Sequence, residues 1–195
     1  MSKTGWRRWV RDHRPPVTAE TAAAVVEGLE TFVEAFDAAA DAAAGAGLIL
    51  FYRAQPGELS LDRLADAVGW QRFAVTRTPA LGPLTLHPAI GAMERHRFGF
   101  PQPIADALEL KPRHIVLALV PGLAFDRRGT RLGRGAGYFD ELLARLPRHC
   151  PRIGVTMRSQ VLDVLPVEPH DVPMTHLATE DGVTAVAANT AGGNG

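Results

Sequence analysis

The residue types that could do chemistry concentrate in residues 120–140, between a strongly apolar run and a helical pattern. Three alternating glycines, Gly133, Gly135 and Gly137, let the backbone approach a ligand closely and direct successive N–H groups into one concavity. A helix beginning near Tyr138 would point the positive end of its dipole to the same place. Fixed positive charge comes from Arg127, Arg128, Arg131 and Arg134. The segment therefore predicts an anion site, most simply for a polyphosphate.

Asp140 follows this loop directly, where a carboxylate is placed to hold a hard cation that bridges phosphate oxygens. The alternative interpretation is a glycine-rich hairpin with solvated arginines. Several familiar sites are excluded: the chain lacks Gly-Lys-Ser/Thr, the Rossmann glycine spacing and Gly-x-Ser-x-Gly. With one cysteine and seven scattered histidines, a zinc site is not expected.

These residues need a scaffold, and apolar runs and helical periodicities predict one. Strands are expected at residues 47–52, 72–76, 84–86, 114–120, 152–156 and 174–179. Helices are expected at residues 18–44, with Thr18 as the N-cap and glycines at the end, from Ser60 to Gly69, and at 138–146. Strands that alternate with helices predict an α/β fold, a mostly parallel sheet with helices on both faces. Such sheets bind ligands beyond the carboxyl ends of their strands.

Length and composition indicate one domain, since 195 residues with 46% apolar content can bury one substantial core. We expect this domain at 1–182, with a helical part at 1–44, an α/β core at 45–182 carrying the loop 127–140, and a flexible tail at 183–195. Zero net charge argues against binding of nucleic acid or an anionic membrane. The chain start resembles no signal peptide and the apolar window 42–52 is too short to cross a bilayer, so a cytoplasmic protein is expected. The oligomeric state is not evident, and a monomer is favoured.

Two adjacent motifs carry a resemblance to a known family. Val-Pro-Gly-Leu-Ala-Phe-Asp at 120–126 and Arg-Leu-Gly-Arg-Gly-x-Gly-Tyr-Phe-Asp at 131–140 are similar to the signature of the 5-formyltetrahydrofolate cyclo-ligase family. The order and spacing of residues 153–160, 165–171 and 179–180 also resemble that family, as do Lys3-x-x-x-Arg7 and Pro56-Gly-Glu58.

The resemblance implies a layered α/β/α fold, like that of sugar-phosphate isomerases and CoA-transferases. It implies that 5-formyltetrahydrofolate and MgATP become 5,10-methenyltetrahydrofolate, ADP and phosphate. It places Mg²⁺ on Asp140 and Asp171, and we assign the catalytic roles to Arg134 and Tyr138. ATP would contact Lys3, Arg7, Arg131, Leu132, Gly133, Arg134, Gly135, Ala136, Gly137, Tyr138 and Phe139. The folate would contact Glu58, Arg134, Gly135, Ala136, Gly137 and Tyr138.

Some positions depart from the family pattern. Ala136 offers no lysine to supplement Arg134, Phe139 stands where a second tyrosine is usual, Gln102 replaces a glutamate, and Arg53 replaces an apolar pocket residue. Residues 76–103 match poorly. A polyglutamate tail on the folate could meet Arg95, Arg97 and Lys111, although solvated charge is the simpler interpretation, as it is for the basic residues 1–14 taken alone.

Two alternatives stay open: a sugar-phosphate isomerase-like or CoA-transferase-like enzyme, and a non-catalytic paralogue that binds folate or nucleotide.

Overall fold

A computed structural model describes residues 1–39 and 47–187. Its helices are α1 (Lys3–His13), α2 (Ala19–Ala39), α3 (Asp62–Val68) and α4 (Tyr138–Ala144). Its strands are β1 (Leu48–Phe51), β2 (Phe73–Arg77), β3 (Thr85–Pro88), β4 (Met93–Arg95), β5 (Pro101–Pro103), β6 (Ile115–Pro121), β7 (Ala124–Asp126), β8 (Arg131–Leu132), β9 (Arg152–Val155), β10 (Val161–Leu162), β11 (His176–Thr179) and β12 (Gly182–Ala185). The expected end of the second helix, at 40–45, lies outside the described residues.

The main sheet has seven strands in the order β12-β11-β9-β6-β1-β2-β3. Its five inner strands run parallel, and the two edge strands, β3 and β12, pair antiparallel. The continuous apolar runs predicted this arrangement, because an inner parallel strand is buried on both faces. The mostly parallel sheet is confirmed.

Alternate residues of the inner strands build a core on each face. On one face, Ile49 and Phe51 pack with Leu29 of α2 and Leu64 of α3. On the other face, Leu50 packs in a second cluster that also contains Leu142 and Leu143 of α4. Because successive strand side chains point to opposite faces, one apolar run serves both cores. Helices therefore cover both faces, as predicted.

A small three-stranded sheet lies beside the main one, in the order β10-β7-β8. It packs against α1 through a cluster that includes Val10, Leu123, Leu132 and Leu165. Asp126, buried at the end of β7, accepts N–H bonds from Arg128, Thr130 and Leu165 at 2.8–2.9 Å. One carboxylate thus ties the β7–β8 turn to the 165–171 segment.

Two local predictions are wrong, and one is confirmed. The tail does not begin at 183, because residues 182–185 form β12 against β11, where Val183 packs on the core. Ser60 does not cap α3: Leu61 is its N-cap, and the Ser60 hydroxyl accepts the Asp62 N–H at 3.3 Å. Thr18 caps α2 as expected, since its Oγ1 accepts the Thr21 N–H at 3.1 Å.

In the described part of the chain, no helix has the length and apolar character needed to cross a membrane.

Candidate active site

A cleft of about 590 Å³ opens at the carboxyl ends of β1, β2 and β6. Arg53 follows β1, Thr78 follows β2 and Gly122 follows β6, and all three line the cleft. α1, the glycine loop 133–137, the β4–β5 hairpin and residues 168–171 complete its wall. The cleft lies where an open parallel sheet is expected to bind its ligands.

Backbone geometry explains the glycines of the loop. Gly135 and Gly137 have φ of 113° and 73°, values that side-chain-bearing residues rarely adopt. A Cβ at Gly133 would lie 2.7 Å from Nη1 of Arg131, so a side chain there would push the Arg131 guanidinium from its place. Gly137 immediately precedes α4, and no side chain caps that helix end.

Arg131 braces the base of the loop from inside the protein. Its Nη2 bonds Asp140 Oδ2 at 2.7 Å and its Nη1 bonds the Pro121 carbonyl at 3.3 Å. The guanidinium also lies 5.7 Å from the centre of the Phe139 ring. With only 6% of Arg131 and 14% of Asp140 exposed, this pair joins the two ends of the loop in a poorly hydrated place.

The arginine of the loop and the glutamate after β1 meet across the cleft. Arg134 donates from Nε and Nη2 to Glu58 Oε1 at 3.1 and 2.6 Å. The other Glu58 oxygen accepts the Gln55 N–H at 2.9 Å, and only 9% of the Glu58 side chain is exposed. Arg134, which the resemblance assigns to both ATP and the folate, thus forms an ion pair with Glu58, which it assigns to the folate.

Behind Glu58 lies a buried polar layer. Tyr52 donates its hydroxyl to the Leu59 carbonyl at 2.8 Å, and burial, with the nearby Glu58 charge, raises the Tyr52 pKa. Burial also lowers the pKa of Arg14, against the attraction of Glu58. The tyrosine stays neutral and holds the backbone next to Glu58.

Helix α1 reaches the same cleft with its basic face. Lys3 is buried, and its Nζ contacts both Asp171 oxygens at 2.6 Å and Glu168 Oε2 at 3.1 Å. Arg7 donates from Nε to the Gly133 carbonyl at 2.9 Å. The interpretation of residues 1–14 as a solvated face is therefore wrong for Lys3 and Arg7. Spacing of four residues places both on one side of the helix.

Candidate metal ligands gather at the 168–171 turn. Glu168, His170 and Asp171 each offer a ligand atom, and these atoms lie within 4.8 Å of one another. Of these, only Asp171 was predicted from the sequence, although Glu-Pro-His-Asp holds three donor residues within four positions. Asp140 is not in this group, and Arg131 binds one of its oxygens.

The β4–β5 hairpin forms the opposite wall, and its two strands were not predicted from the sequence. Gln102 is buried at its base, where it donates to Glu94 at 2.8 Å and accepts the Thr78 N–H at 3.2 Å. Gln102, which replaces the glutamate of the family pattern, therefore supports the hairpin and does not line the cleft. Arg77 adds bonds to the Pro103 carbonyl and to Glu94 at 3.0 and 2.9 Å.

The hairpin tip presents aromatic rings and charge to the cleft. His96 stacks on Phe100 at 4.5 Å between ring centroids, and Arg97 lies 4.9 Å from the Phe98 ring. Burial, followed by the nearby Arg97 and Arg77 charges, lowers the His96 pKa. Arg97 lines the cleft, whereas Arg95 and Lys111 do not.

The structure also places Arg53, Leu132 and the remaining residues of the glycine loop. Arg53 lines the cleft, pairs with Asp62 at 3.1 Å, and lies 5.0 Å from the Trp70 ring. Leu132 is fully buried in the cluster under α1 and does not line the cleft, so its side chain has no place in a nucleotide site. The remaining loop residues from Gly133 to Asp140, including Ala136 and Tyr138, all line the cleft.

Comparisons with known proteins agree with this architecture. The model of the "5-formyltetrahydrofolate cyclo-ligase family" matches residues 73–180. The chain is 36% identical over 141 residues to the 5-formyltetrahydrofolate cyclo-ligase of Mycolicibacterium smegmatis, which spans 68% of this chain and 72% of that relative. The Haemophilus influenzae cyclo-ligase is 27% identical over 135 residues, 65% of this chain and 72% of that relative.

Solved structures of other proteins share the fold of this chain. The NMR structure of Aquifex aeolicus 5,10-methenyltetrahydrofolate synthetase superposes with a TM-score of 0.76 and 25% identity, covering 100% of this chain and 97% of the other. A 5,10-methenyltetrahydrofolate synthetase from Mycoplasma pneumoniae shares the fold, with a TM-score of 0.68 and 17% identity over 92% of this chain and 99% of the other.

The layered sheet, its charged cleft and these relatives define an enzyme of the ligase class. The chain belongs to the 5-formyltetrahydrofolate cyclo-ligase family. This assignment does not favour the alternative of a sugar-phosphate isomerase-like or CoA-transferase-like enzyme.

Proposed function

We propose that this protein converts 5-formyltetrahydrofolate to 5,10-methenyltetrahydrofolate with consumption of ATP and release of ADP and phosphate. The observation that carries the proposal is the contact between Arg134 of the glycine loop and Glu58 at 2.6 Å. It brings the segment suited to phosphate next to the carboxylate suited to a pterin. The two reactants must meet there.

The chemistry requires an activated formyl oxygen, because a formamide oxygen is a poor leaving group. Transfer of the γ-phosphoryl group breaks its bond to ADP and forms a bond to the formyl oxygen. N10 of the folate then attacks the formyl carbon and loses its proton, the carbon–oxygen bond breaks, and phosphate leaves. No protein nucleophile is needed, and alignment with charge neutralisation suffices.

The residues of the loop fit those needs. Arg134 is half exposed at the cleft, so its guanidinium can turn from Glu58 toward a phosphoryl group. The loop backbone between Gly133 and Gly137 can approach phosphate oxygens closely, since no side chain but those of Arg134 and Ala136 intervenes. Tyr138 is 42% exposed beside them and is assigned to positioning the reactants.

The donor set also fits Mg²⁺, which prefers carboxylate oxygens. Asp171, with Glu168 beside it, and Asp140 are the residues that would hold the ion. Lys3 already neutralises Asp171, and Arg131 binds Asp140 through Oδ2 only. When bound, Mg²⁺ supplies positive charge to the phosphate oxygens. Lys3 would share that work from the buried side of the turn.

Glu58 is the proposed partner of the folate ring. A carboxylate accepts two parallel N–H bonds from an aminopyrimidine edge with the geometry it uses for arginine. Arg134 now donates two N–H groups to one oxygen of Glu58, so the carboxylate is already presented to a planar donor. The aromatic tip of the β4–β5 hairpin offers stacking surface nearby.

The test is growth of the absorbance band of methenyltetrahydrofolate in purified protein with 5-formyltetrahydrofolate, ATP and Mg²⁺. Growth is expected only with all three present, and omission of each in turn is the control. No growth, with folate or ATP binding still measured by calorimetry, would favour the non-catalytic paralogue. The cytoplasmic location expected from the sequence stays a prediction.

A further inference from the structure

Helix α1 presents three basic side chains to the cleft at intervals of four residues: Lys3, Arg7 and Arg11. Residues four apart share one face of a helix, and the row extends for about 12 Å along the axis. Of the three, only Arg11 was not predicted from the sequence to contact a ligand. The repeat of basic residues at 3, 7 and 11 is the signal that could have found it.

The row runs from one proposed subsite to the other. Its first member contacts Asp171 in the 168–171 turn, and Arg7 contacts Gly133 at the start of the glycine loop. Arg14 follows about one turn after Arg11, and the charge of Glu58 acts to raise its pKa. Along the chain, Arg11 therefore lies between Arg7, which contacts the glycine loop, and Arg14, whose charge is attracted by Glu58.

Like Arg7, Arg11 is a cation of this wall that forms no ion pair with a described carboxylate, so its charge stays available. Lys3 is engaged by Asp171, Arg131 by Asp140 and Arg134 by Glu58. Arg11 donates from Nε to the Arg7 carbonyl at 3.0 Å, which holds the side chain along the helix. Within residues 1–39 and 47–187, its guanidinium has no carboxylate partner, so both Nη groups can serve a ligand.

We propose that Arg11 binds the terminal phosphate of the nucleotide, and so distinguishes a triphosphate from a diphosphate. The inference rests on the proposed function. The terminal phosphate has to lie where the nucleotide meets the formyl oxygen, between the glycine loop and Glu58. A guanidinium there binds two phosphate oxygens at once and neutralises charge on the group that is transferred.

The experiment is calorimetric titration of wild type, Arg11→Ala, Arg11→Lys and Arg8→Ala with ATP and with ADP, each with Mg²⁺. Arg8 is the matched control, because it is exposed on the same helix and does not line the cleft. We expect Arg11→Ala to raise the Kd for ATP about tenfold or more and the Kd for ADP less than about twofold. Arg11→Lys should fall in between, since an ammonium lacks the planar fork. Arg8→Ala should change neither Kd.

Each other outcome overturns the assignment in a different way. Equal weakening of ATP and ADP would move Arg11 to the inner phosphates. Unchanged nucleotide binding with a weaker Kd for 5-formyltetrahydrofolate would assign Arg11 to the folate, and no change at all would make it solvated charge. Circular dichroism shows whether the variants keep their fold. A wild type that binds no nucleotide would refute the proposed function itself, which is a separate result.

Discussion

The two walls of the cleft are built differently. The loop wall, which comprises α1, residues 131–140 and residues 165–171, is joined by charged hydrogen bonds of 2.6–2.9 Å, among them Lys3 to Asp171, Arg7 to Gly133 and Arg131 to Asp140. The hairpin wall, residues 93–103, is two short strands whose tip carries Phe98, an aromatic ring that is 55% exposed.

This difference indicates a division of labour. A wall whose charges are fixed before the ligand arrives is suited to phosphoryl transfer, where preorganised charge stabilises the transition state. A wall of exposed rings at a hairpin tip is suited to an aromatic ligand, since rings stack with little need for fixed geometry. Substitutions in the loop wall should therefore change turnover, and substitutions in the hairpin wall should change folate affinity.

The largest effect is expected for Arg134→Ala. Loss of the guanidinium at the loop should lower kcat by about 10²–10³-fold, as for other groups that stabilise transferred charge, and leave the fold intact. Steady-state kinetics and circular dichroism measure the two. Arg127→Ala is the control, because Arg127 is a solvated arginine of the same segment, 79% exposed. Near-normal turnover would remove Arg134 from the mechanism.

Asp140→Asn tests whether the loop wall also holds the metal. The Mg²⁺ concentration that gives half-maximal activity should rise about tenfold or more, because a carboxylate ligand becomes an amide. Unfolding should become easier by about 1–3 kcal/mol, since Arg131 loses a buried partner. Urea unfolding separates this loss from the metal effect. An unchanged Mg²⁺ titration with lowered stability would reduce Asp140 to a brace for Arg131.

Glu58→Gln tests the contact between Arg134 of the loop wall and the carboxylate after β1 that is proposed for the folate. The KM for 5-formyltetrahydrofolate should rise about tenfold, because the amide offers one acceptor oxygen where the carboxylate offers two. The KM for ATP should stay within about twofold. Kinetics of the single variants, Glu58→Gln and Arg134→Ala, and of the double variant measure whether the pair acts jointly. A selective rise in the KM for ATP would assign Glu58 to the nucleotide.

The same contrast explains what the sequence could predict. The anion site at the glycine loop was predicted from glycine spacing and charge, which have local physical meaning. Lys3, Arg7 and Asp171 were assigned to ligands only through the resemblance to the family. Their contacts within the protein were not predicted, since the contact of Lys3 with Asp171 joins residues 168 positions apart. Nor does any local pattern show that Arg134 reaches Glu58 across 76 positions.

The hairpin wall could not be predicted from the sequence for a different reason. Strands of three residues have no measurable period, and Gln102 is held by Glu94 and Thr78 through tertiary contacts. The edge strand β12 was not predicted from the sequence for a similar reason. Its residues are small, and its pairing depends on β11 being exposed at the sheet edge and on close approach to α2, where a Cβ on Gly28 would lie 3.0 Å from Gly182.

Phe98→Ala tests the hairpin wall directly. Removing the ring should raise the KM for 5-formyltetrahydrofolate about three- to tenfold, the loss expected for one aromatic contact, and leave the KM for ATP unchanged. Leu81→Ala is the control, because Leu81 is 91% exposed and does not line the cleft. Equal effects of Phe98→Ala on the KM values for both ligands would contradict the division between the walls.

The smallest effect is expected from pH, through His96 at the hairpin tip. Burial and the nearby Arg97 and Arg77 charges lower its pKa, against the attraction of Glu94, so the unfolded chain binds the proton more readily than the folded chain. The free energy of unfolding should therefore fall as pH drops below about 6.5, the unfolded value, and His96 should contribute no slope above it. Urea unfolding of wild type and His96→Gln at pH 7.5 and 5.5 isolates this contribution, because the other histidines titrate in both proteins. A pH dependence of stability that is the same in both would mean that protonation of His96 leaves the stacked tip undisturbed, and would weaken the case that this wall is held by its aromatic contacts.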